Sequence, residues 1–160
     1  MIDPEARPVI SRIERRAIEA EAVAPIIRVL EKRIGRDDAI ALLTEINQQE
    51  AFSRGSAVAD ETDRNSIDIL AEDVATWGDG SSMEIEVLEL TSTSFFFNVT
   101  RCPYFECYRE LGLDELGVAF SCCRDEPFAR GLDPHLRLDR SQTLMEGHDF
   151  CDFRYIFTLD

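Results

Sequence analysis

The residues able to do chemistry gather in the C-terminal part of the chain. Cys102, Cys107, Cys122, Cys123 and Cys151 share that stretch with Tyr104, Asp125, His135, Arg140, His148, Asp149 and Asp152. A thiolate can attack an electrophilic carbon, a carboxylate can take a proton from water, and a guanidinium can grip a carboxylate through two parallel hydrogen bonds. The common signatures of other chemistries are missing: there is no Walker loop, no dinucleotide-binding glycine fingerprint, no His-Glu-x-x-His and no Gly-x-Ser-x-Gly. Whatever the chain does chemically rests on this polar cluster.

The charges around the thiols differ. Cys151 lies between Asp149 and Asp152, and nearby negative charge raises a thiol's pKa. Cys102 follows Arg101 and precedes Pro103, a helix start whose free amides and positive dipole end favour an anion. Cys102 is therefore expected to be the better activated thiol and Cys151 a packing or orienting residue; the competing route is a water activated by Asp125. Each residue also has a bland reading. Unpaired cysteines usually pack as small hydrophobes, Cys122 sits beside an apolar helical stripe, Asp125 can cap a helix, and Arg140 can pair with an acidic neighbour. His135 after Pro134 reads as exposed loop, and Trp77 and Phe95–Phe97 read as core. A zinc site is a rival use of the same residues, with Cys102, Cys107, Cys122 or Cys123 and the His148-x-x-Cys151 pair as ligands. The gap between Cys102 and Cys107 is wider than the usual knuckle, and no second knuckle exists. No cofactor is expected.

Helices and strands must bring these residues together. From Pro8 to Ile34 apolar residues recur at three- and four-residue intervals (Val9, Ile13, Ala17, Ala20, Ile27) up to Gly35, which predicts a helix that Pro25 kinks or splits. A second helix is predicted from Asp37 or Asp38 through Phe52. A third starts at Asn65, with Ile67, Leu70, Val74 and Trp77 on one face, and SRGSAVADETDR between the two reads as a mobile loop. The period changes at Gly80. Met83, Ile85 and Val87 alternate with Glu84 and Glu86 and slip register at Leu88, as a bulged strand does, and FFFNVT completes a hairpin. PYFECYRELG reads as a short helix and LDELGVAFSCCRDEPFARG as a longer one, with Leu116, Phe120, Cys123 and Phe128 on one stripe. HLRLDRSQTL and FCDFRYIFTL read as a second hairpin around MEGHD. The expected fold class is α+β: a single domain with a helical part (1–78) and a part (80–158) holding a roughly four-stranded antiparallel sheet, interleaved with helices that cover one face. Cys151, Phe153, Tyr155 and Phe157 then share the covered face.

Composition narrows the partners. A chain of 160 residues that is 44% hydrophobic can bury one sizeable core. Its 32 acidic against 17 basic residues give a net charge of -15, which opposes binding to nucleic acid or to an anionic membrane surface. No run approaches the roughly 20 apolar residues of a membrane span. The opening MIDPEARPVI lacks the apolar core of a signal peptide, and an odd number of thiols suits a reducing compartment. A cytoplasmic location and a small-molecule partner are expected; oligomeric state is not written in the sequence.

Four stretches, taken in order, carry a resemblance. NVTRCPYFECYRELG (98–112), the Cys-x-x-Asp of 122–125, LDPHLRLDRSQTL (132–144) and EGHDFCDFRY (146–155) resemble the L-2-amino-thiazoline-4-carboxylic acid hydrolase family over roughly residues 80–158. The helical first half matches only in general character. Residue by residue the resemblance falls on Cys102, Tyr104, Glu106, Cys122, Asp125, Arg140, Gly147, Cys151 and Phe153, whereas Cys107 and Cys123 are extra to the pattern. It implies a hydrolase of cysteine metabolism that opens a small cyclic amidine-like carboxylate to a carbamoyl-cysteine. Cys102, Asp125 and Cys151 would then be catalytic, and Tyr104, Arg140 and Cys122 would bind substrate. The alternatives from other classes are a small-molecule binding or sensor module without turnover and a Cys/His metal-binding domain. Two expectations follow for the structure. Cys102, Asp125 and Cys151 converge on one small pocket, and one of Arg101, Arg109, Arg140 and Arg154 stands at it to offset the repulsion an anionic substrate meets.

Overall fold

The computed structural model describes residues 10–78 and 82–158. The start of the first predicted helix at Pro8 and Val9, the opening that bears on a signal peptide, and the boundary at Gly80 lie outside them. A reciprocal cap opens α1 (Arg12–Ile34): Ser11 Oγ accepts from the Glu14 amide at 3.2 Å, and the Glu14 carboxylate accepts from the Ser11 amide at 2.8 Å. α1 runs through Pro25 as one helix rather than splitting. Pro25 lies on the exposed side together with Glu21, the residue whose carbonyl loses its donor, so water can take up the unpaired acceptor. Gly35, at φ 94°, closes α1 and turns the chain directly into α2 (Arg36–Asp60).

α2 continues to Asp60 through the segment expected to be a loop. Its buried residues Ala39, Leu43, Asn47, Ala51 and Gly55 recur every fourth position, the spacing of a single helix face. That face meets α6 (Asp125–Leu132) at very short range. A Cβ on Gly55 would overlap the Phe128 carbonyl oxygen and lie 3.0 Å from the Leu132 amide nitrogen; one on Gly131 would overlap the Phe52 carbonyl oxygen and lie 3.0 Å from that of Ser56. The two glycines serve a helix crossing, not a turn.

The sheet comprises β1 (Glu84–Leu90), β2 (Ser94–Arg101), β3 (Leu136–Asp139) and β4 (Cys151–Phe157), antiparallel throughout in the order β1-β2-β4-β3. The register of β1 on β2 shifts between Val87 and Glu89, which puts the bulge at Leu88. Phe95, Phe97 and Val99 of β2 and Cys151, Phe153 and Tyr155 of β4 are buried on one face, and Phe97 stacks on Phe153 at 4.7 Å between centroids. α3 (Ser66–Ala75), capped by the Asn65 side chain, covers that face with Ile67, Leu70 and Val74, beside Phe128, Ala129 and Leu132 of α6. A second apolar cluster joins α1 and α2 to α4 (Pro103–Glu110) and α5 (Gly117–Phe120). The α+β architecture is the one expected. No described helix is long and apolar enough to cross a membrane.

The longer helix predicted over the stripe from Leu116 to Phe128 is instead broken. A 3-10 turn (Asp114–Leu116), α5, a second 3-10 turn (Cys122–Arg124) and α6 follow one another, with Ser121 at φ -125°, ψ -60° between them. Proline costs a helix least in its first turn, where its missing N–H has no partner to lose, and Pro127 stands there as the third residue of α6. The corner is pinned by polar bonds. Arg124 Nε donates to the Phe120 carbonyl at 2.9 Å, its guanidinium meets Asn47, and buried Asn47 donates to the Ala119 carbonyl at 2.7 Å.

Alanine is a better helix former than glycine by about 1 kcal/mol, so the sign of a substitution at the crossing is diagnostic. Gly55→Ala and Gly131→Ala should each destabilise the protein, by about 1–3 kcal/mol for an overpacked interior, seen as a lower urea midpoint. An unchanged or raised midpoint contradicts the close crossing.

Candidate functional site

The break in the chain at Ser121 aims Cys122 and Asp125 into a cavity of about 430 Å³, which Cys102, Tyr104 and Cys151 also line. These five residues come from the α4 start, the second 3-10 turn, the first residue of α6 and the first of β4. Arg140 stands behind the wall. Its Nη1 donates to Asp125 Oδ2 at 2.6 Å, its Nη2 to the Cys122 carbonyl at 2.9 Å, and its guanidinium lies 4.9 Å from the centroid of the Phe153 ring. The other carboxylate oxygen of Asp125 accepts no hydrogen bond among the described residues, and 18% of the side chain is exposed into the pocket. The segment after Arg140 is fixed by Asp152, which accepts from the amides of Ser141 and Gln142 at 3.0 and 2.8 Å. Gly147, at φ 90°, then turns the chain toward β4, where the Leu144 amide donates to Cys151 Sγ at 3.2 Å.

The remaining polar candidates are elsewhere. Cys107, Cys123, Glu106, His135, His148, Asp149 and Asp152 do not line the cavity; both histidines are exposed, and the Cys123 thiol donates to the Ala119 carbonyl. Among the described residues no group of three or more His, Cys, Asp or Glu side chains is placed to hold a metal ion.

Burial dominates the proton affinities. It pushes the Cys102 thiol up to about 11, opposed in part by the amides of Phe105 and Tyr104 and reinforced by Cys151 and Asp125. Arg101 gives no help, because its Nε bonds Glu106 at 2.8 Å. Burial thus works against the activation that the neighbours of Cys102 in sequence suggest, and outweighs the amides at the helix start. Burial also raises Cys122, with Asp125 adding to it, and raises Cys151 against the Leu144 amide and Arg140. For Asp125 burial outweighs the attraction of Arg140 and lifts the carboxyl above its ordinary range. Burial works against the Arg140 charge, but Asp125 and Cys122 more than offset it. Near neutral pH the pocket therefore presents protonated thiols around a carboxylate of raised basicity with one oxygen open to water.

The cations at the pocket are not the four expected. Arg101 is paired with Glu106, Arg109 lies 5.3 Å over the Phe105 ring, and Arg154 donates to the Phe97 carbonyl and to Asn98. Among the described residues Arg12, Arg15 and Arg16 of α1, Arg54 of α2 and Arg124 line the cavity instead, against Glu19, Glu50, Asp73 and Asp125. The arginines outnumber the acids here although the whole chain carries -15. The only signal in the sequence was the spacing of Arg12, Arg15 and Arg16, three and four apart on one helix face. The helical half thus walls the site, also through Asp73 and Trp77, whose indole N–H donates to Asp73 Oδ2 at 2.9 Å.

The family model described as L-2-amino-thiazoline-4-carboxylic acid hydrolase matches residues 15–155. The match takes in most of the helical half as well as most of the stretch over 80–158 to which the motifs pointed. A search of curated proteins gives no match.

Removing Arg140 leaves a carboxylate stranded in a desolvated wall. Arg140→Gln should cost about 3 kcal/mol at neutral pH, as breaking a buried pair does. Asp125 already has a folded-state pKa above its unfolded value of about 3.9. Its ionised form therefore weakens the fold as pH rises past that value, and more so without the cation. Urea unfolding of both proteins should show the gap narrowing as pH falls through the raised native pKa of Asp125 and the carboxyl takes up its proton. A gap that does not change with pH contradicts the pairing.

Proposed function

The chain belongs to the L-2-amino-thiazoline-4-carboxylic acid hydrolase family, and from that premise we propose that it hydrolyses a small cyclic amidine bearing a carboxylate, of the 2-amino-thiazoline-4-carboxylate type, to a carbamoyl-cysteine. Family membership supports a hydrolase-like role; the substrate and the route are this reading's own. One observation carries it: Asp125 has one oxygen anchored by Arg140 and the other open to a pocket walled by three thiols.

The ring carbon C2 is bonded to the ring nitrogen, the exocyclic nitrogen and the ring sulfur, and in the protonated amidine it is an electrophile. Asp125 takes a proton from a water as the water oxygen bonds to C2. Arg140 holds the carboxylate still and stabilises it between proton transfers. The tetrahedral centre then collapses with loss of a ring bond, to sulfur or to ring nitrogen, the proton on Asp125 passes to the departing atom, and the hydroxyl proton left on C2 returns to solvent in place of the one the amidine had taken up. The water oxygen stays as the carbamoyl oxygen, one water is consumed and no fragment leaves.

Thiolate attack by Cys102 is the weaker route. With the thiol at about 11, only a very small fraction of molecules carries the thiolate at pH 7, an energetic handicap of about 5 kcal/mol. Cys102, Cys122 and Cys151 instead form a water-poor wall that keeps the basicity of Asp125 high, with Tyr104 at its edge donating to the Trp77 carbonyl.

The test is turnover of 2-amino-thiazoline-4-carboxylate, followed by loss of ring absorbance and appearance of the carbamoyl product. Asp125→Asn should lower kcat about a thousandfold, within the usual range for a lost general base, while Cys102→Ser stays within about tenfold. The rate should rise with pH through the raised Asp125 pKa and then level off, rather than climbing on toward about 11 as thiolate chemistry requires. Abolition by Cys102→Ser with activity kept in Asp125→Asn reverses the assignment.

A further inference from the structure

Most charges lining the cavity can be paired off. Arg124 meets Glu50 and Asn47, Arg16 meets Glu19, and Asp125 is met from behind by Arg140. What is left is two guanidiniums on one carboxylate. Arg12 Nη2 lies 2.9 Å and Arg54 Nη2 3.7 Å from the same Asp73 Oδ1, while Asp73 Oδ2 is taken by the Trp77 indole. Asp73 is only 16% exposed, against 37% for Arg12 and 44% for Arg54, so the acid is sunk behind the cations it aligns. Arg54 is also steadied by the Phe128 ring, 4.7 Å from its centroid. Arg15 lines the same cavity, and its guanidinium has no hydrogen-bond or ion-pair partner among the described residues. Crowding three arginines into the first turns of α1 works against the helix dipole, and departures from local preference of this kind concentrate where function requires them.

We infer that Arg12 and Arg54, aligned by Asp73 and with Arg15 at the rim, form the subsite that takes the substrate's carboxylate and so turns its reacting ring carbon toward Asp125. The identity of the ligand rests on the hydrolase reading above; the excess of cations does not. A carboxylate set against two guanidinium forks gains charge-assisted, directional hydrogen bonds. This gives the helical half of the chain a share in specificity, distinct from the proton transfer at Asp125.

Two probes separate the roles: 2-amino-thiazoline-4-carboxylate and the same ring without its carboxylate, 2-amino-thiazoline, each titrated calorimetrically into the full chain. The wild type should bind the carboxylate probe about ten- to a hundredfold more tightly, the scale of a charge-assisted contact. Arg12→Gln and Arg54→Gln should each lose about tenfold of that preference and raise KM with kcat changed by less than about threefold. The double variant should bind both probes alike, and Arg109→Gln should change nothing. Equal melting temperatures in the carboxylate-free buffer report that the variants are folded. A wild type that does not distinguish the probes, or a double variant that keeps the preference, overturns the subsite. Turnover without that discrimination leaves the hydrolase reading standing and the subsite refuted; discrimination lost in the variants, with no turnover by the wild type, does the reverse. Absence of both turnover and binding overturns both.

Discussion

A carboxylate held in a desolvated wall is the constraint around which the rest of this molecule is arranged. Asp125 is tolerable there only because Arg140 lies 2.6 Å away, and Arg140 can reach it only if several other elements are in register. Its second nitrogen bonds the Cys122 carbonyl, so the 3-10 turn must present that oxygen; its flat face covers Phe153, so β4 must lie beneath it. The chain following Arg140 is tied to Asp152 through two amides. The pair thereby joins the broken helical segment to the sheet, and any shift of one against the other exposes or strands a charge.

The break at Ser121 and the close crossing at Gly55 and Gly131 serve the same end. Cys122 and Asp125 are three apart, a spacing that shares one face of a helix, so what the break changes is the direction in which that face points. The corner, with α6 starting afresh at Asp125, brings both to the pocket, and the glycine crossing brings α2 close enough for Arg54 to share Asp73 with Arg12. Packing of the helical half is in this way coupled to the chemistry of the C-terminal half. The family match, which spans 15–155, follows that coupling more faithfully than the cluster of motifs does.

What the sequence disclosed was governed by near neighbours. The slip of alternation at Leu88, the Asn65 cap and the inward set Cys151, Phe153 and Tyr155 are local patterns, and the structure keeps them. So is the gathering of Cys102, Asp125 and Cys151, which the order of short elements in a small sheet forces. The misreadings concern partners distant in the chain. Gly55 resembles a loop former until Gly131 is opposite it, and the apolar stripe from Leu116 to Phe128 hides a break that only Pro127 signalled. Arg101 beside Cys102 suggested an acidic thiol, yet burial, which no neighbour in sequence reports, pushes the thiol the other way. Arg12 has no partner among its neighbours in sequence, and the one that holds it, Asp73, lies sixty-one residues beyond.

The central claim is that the pocket works with neutral thiols around a basic carboxylate. The S–H stretching band in Raman spectra reads this without a substrate, and single Cys→Ser difference spectra assign the contributions of Cys102, Cys122 and Cys151. On this account all three bands persist from about pH 6 to about pH 9, since burial keeps each thiol above the ordinary value of about 8.5. Loss of the Cys102 band near pH 7 would contradict it and return the nucleophile to sulfur.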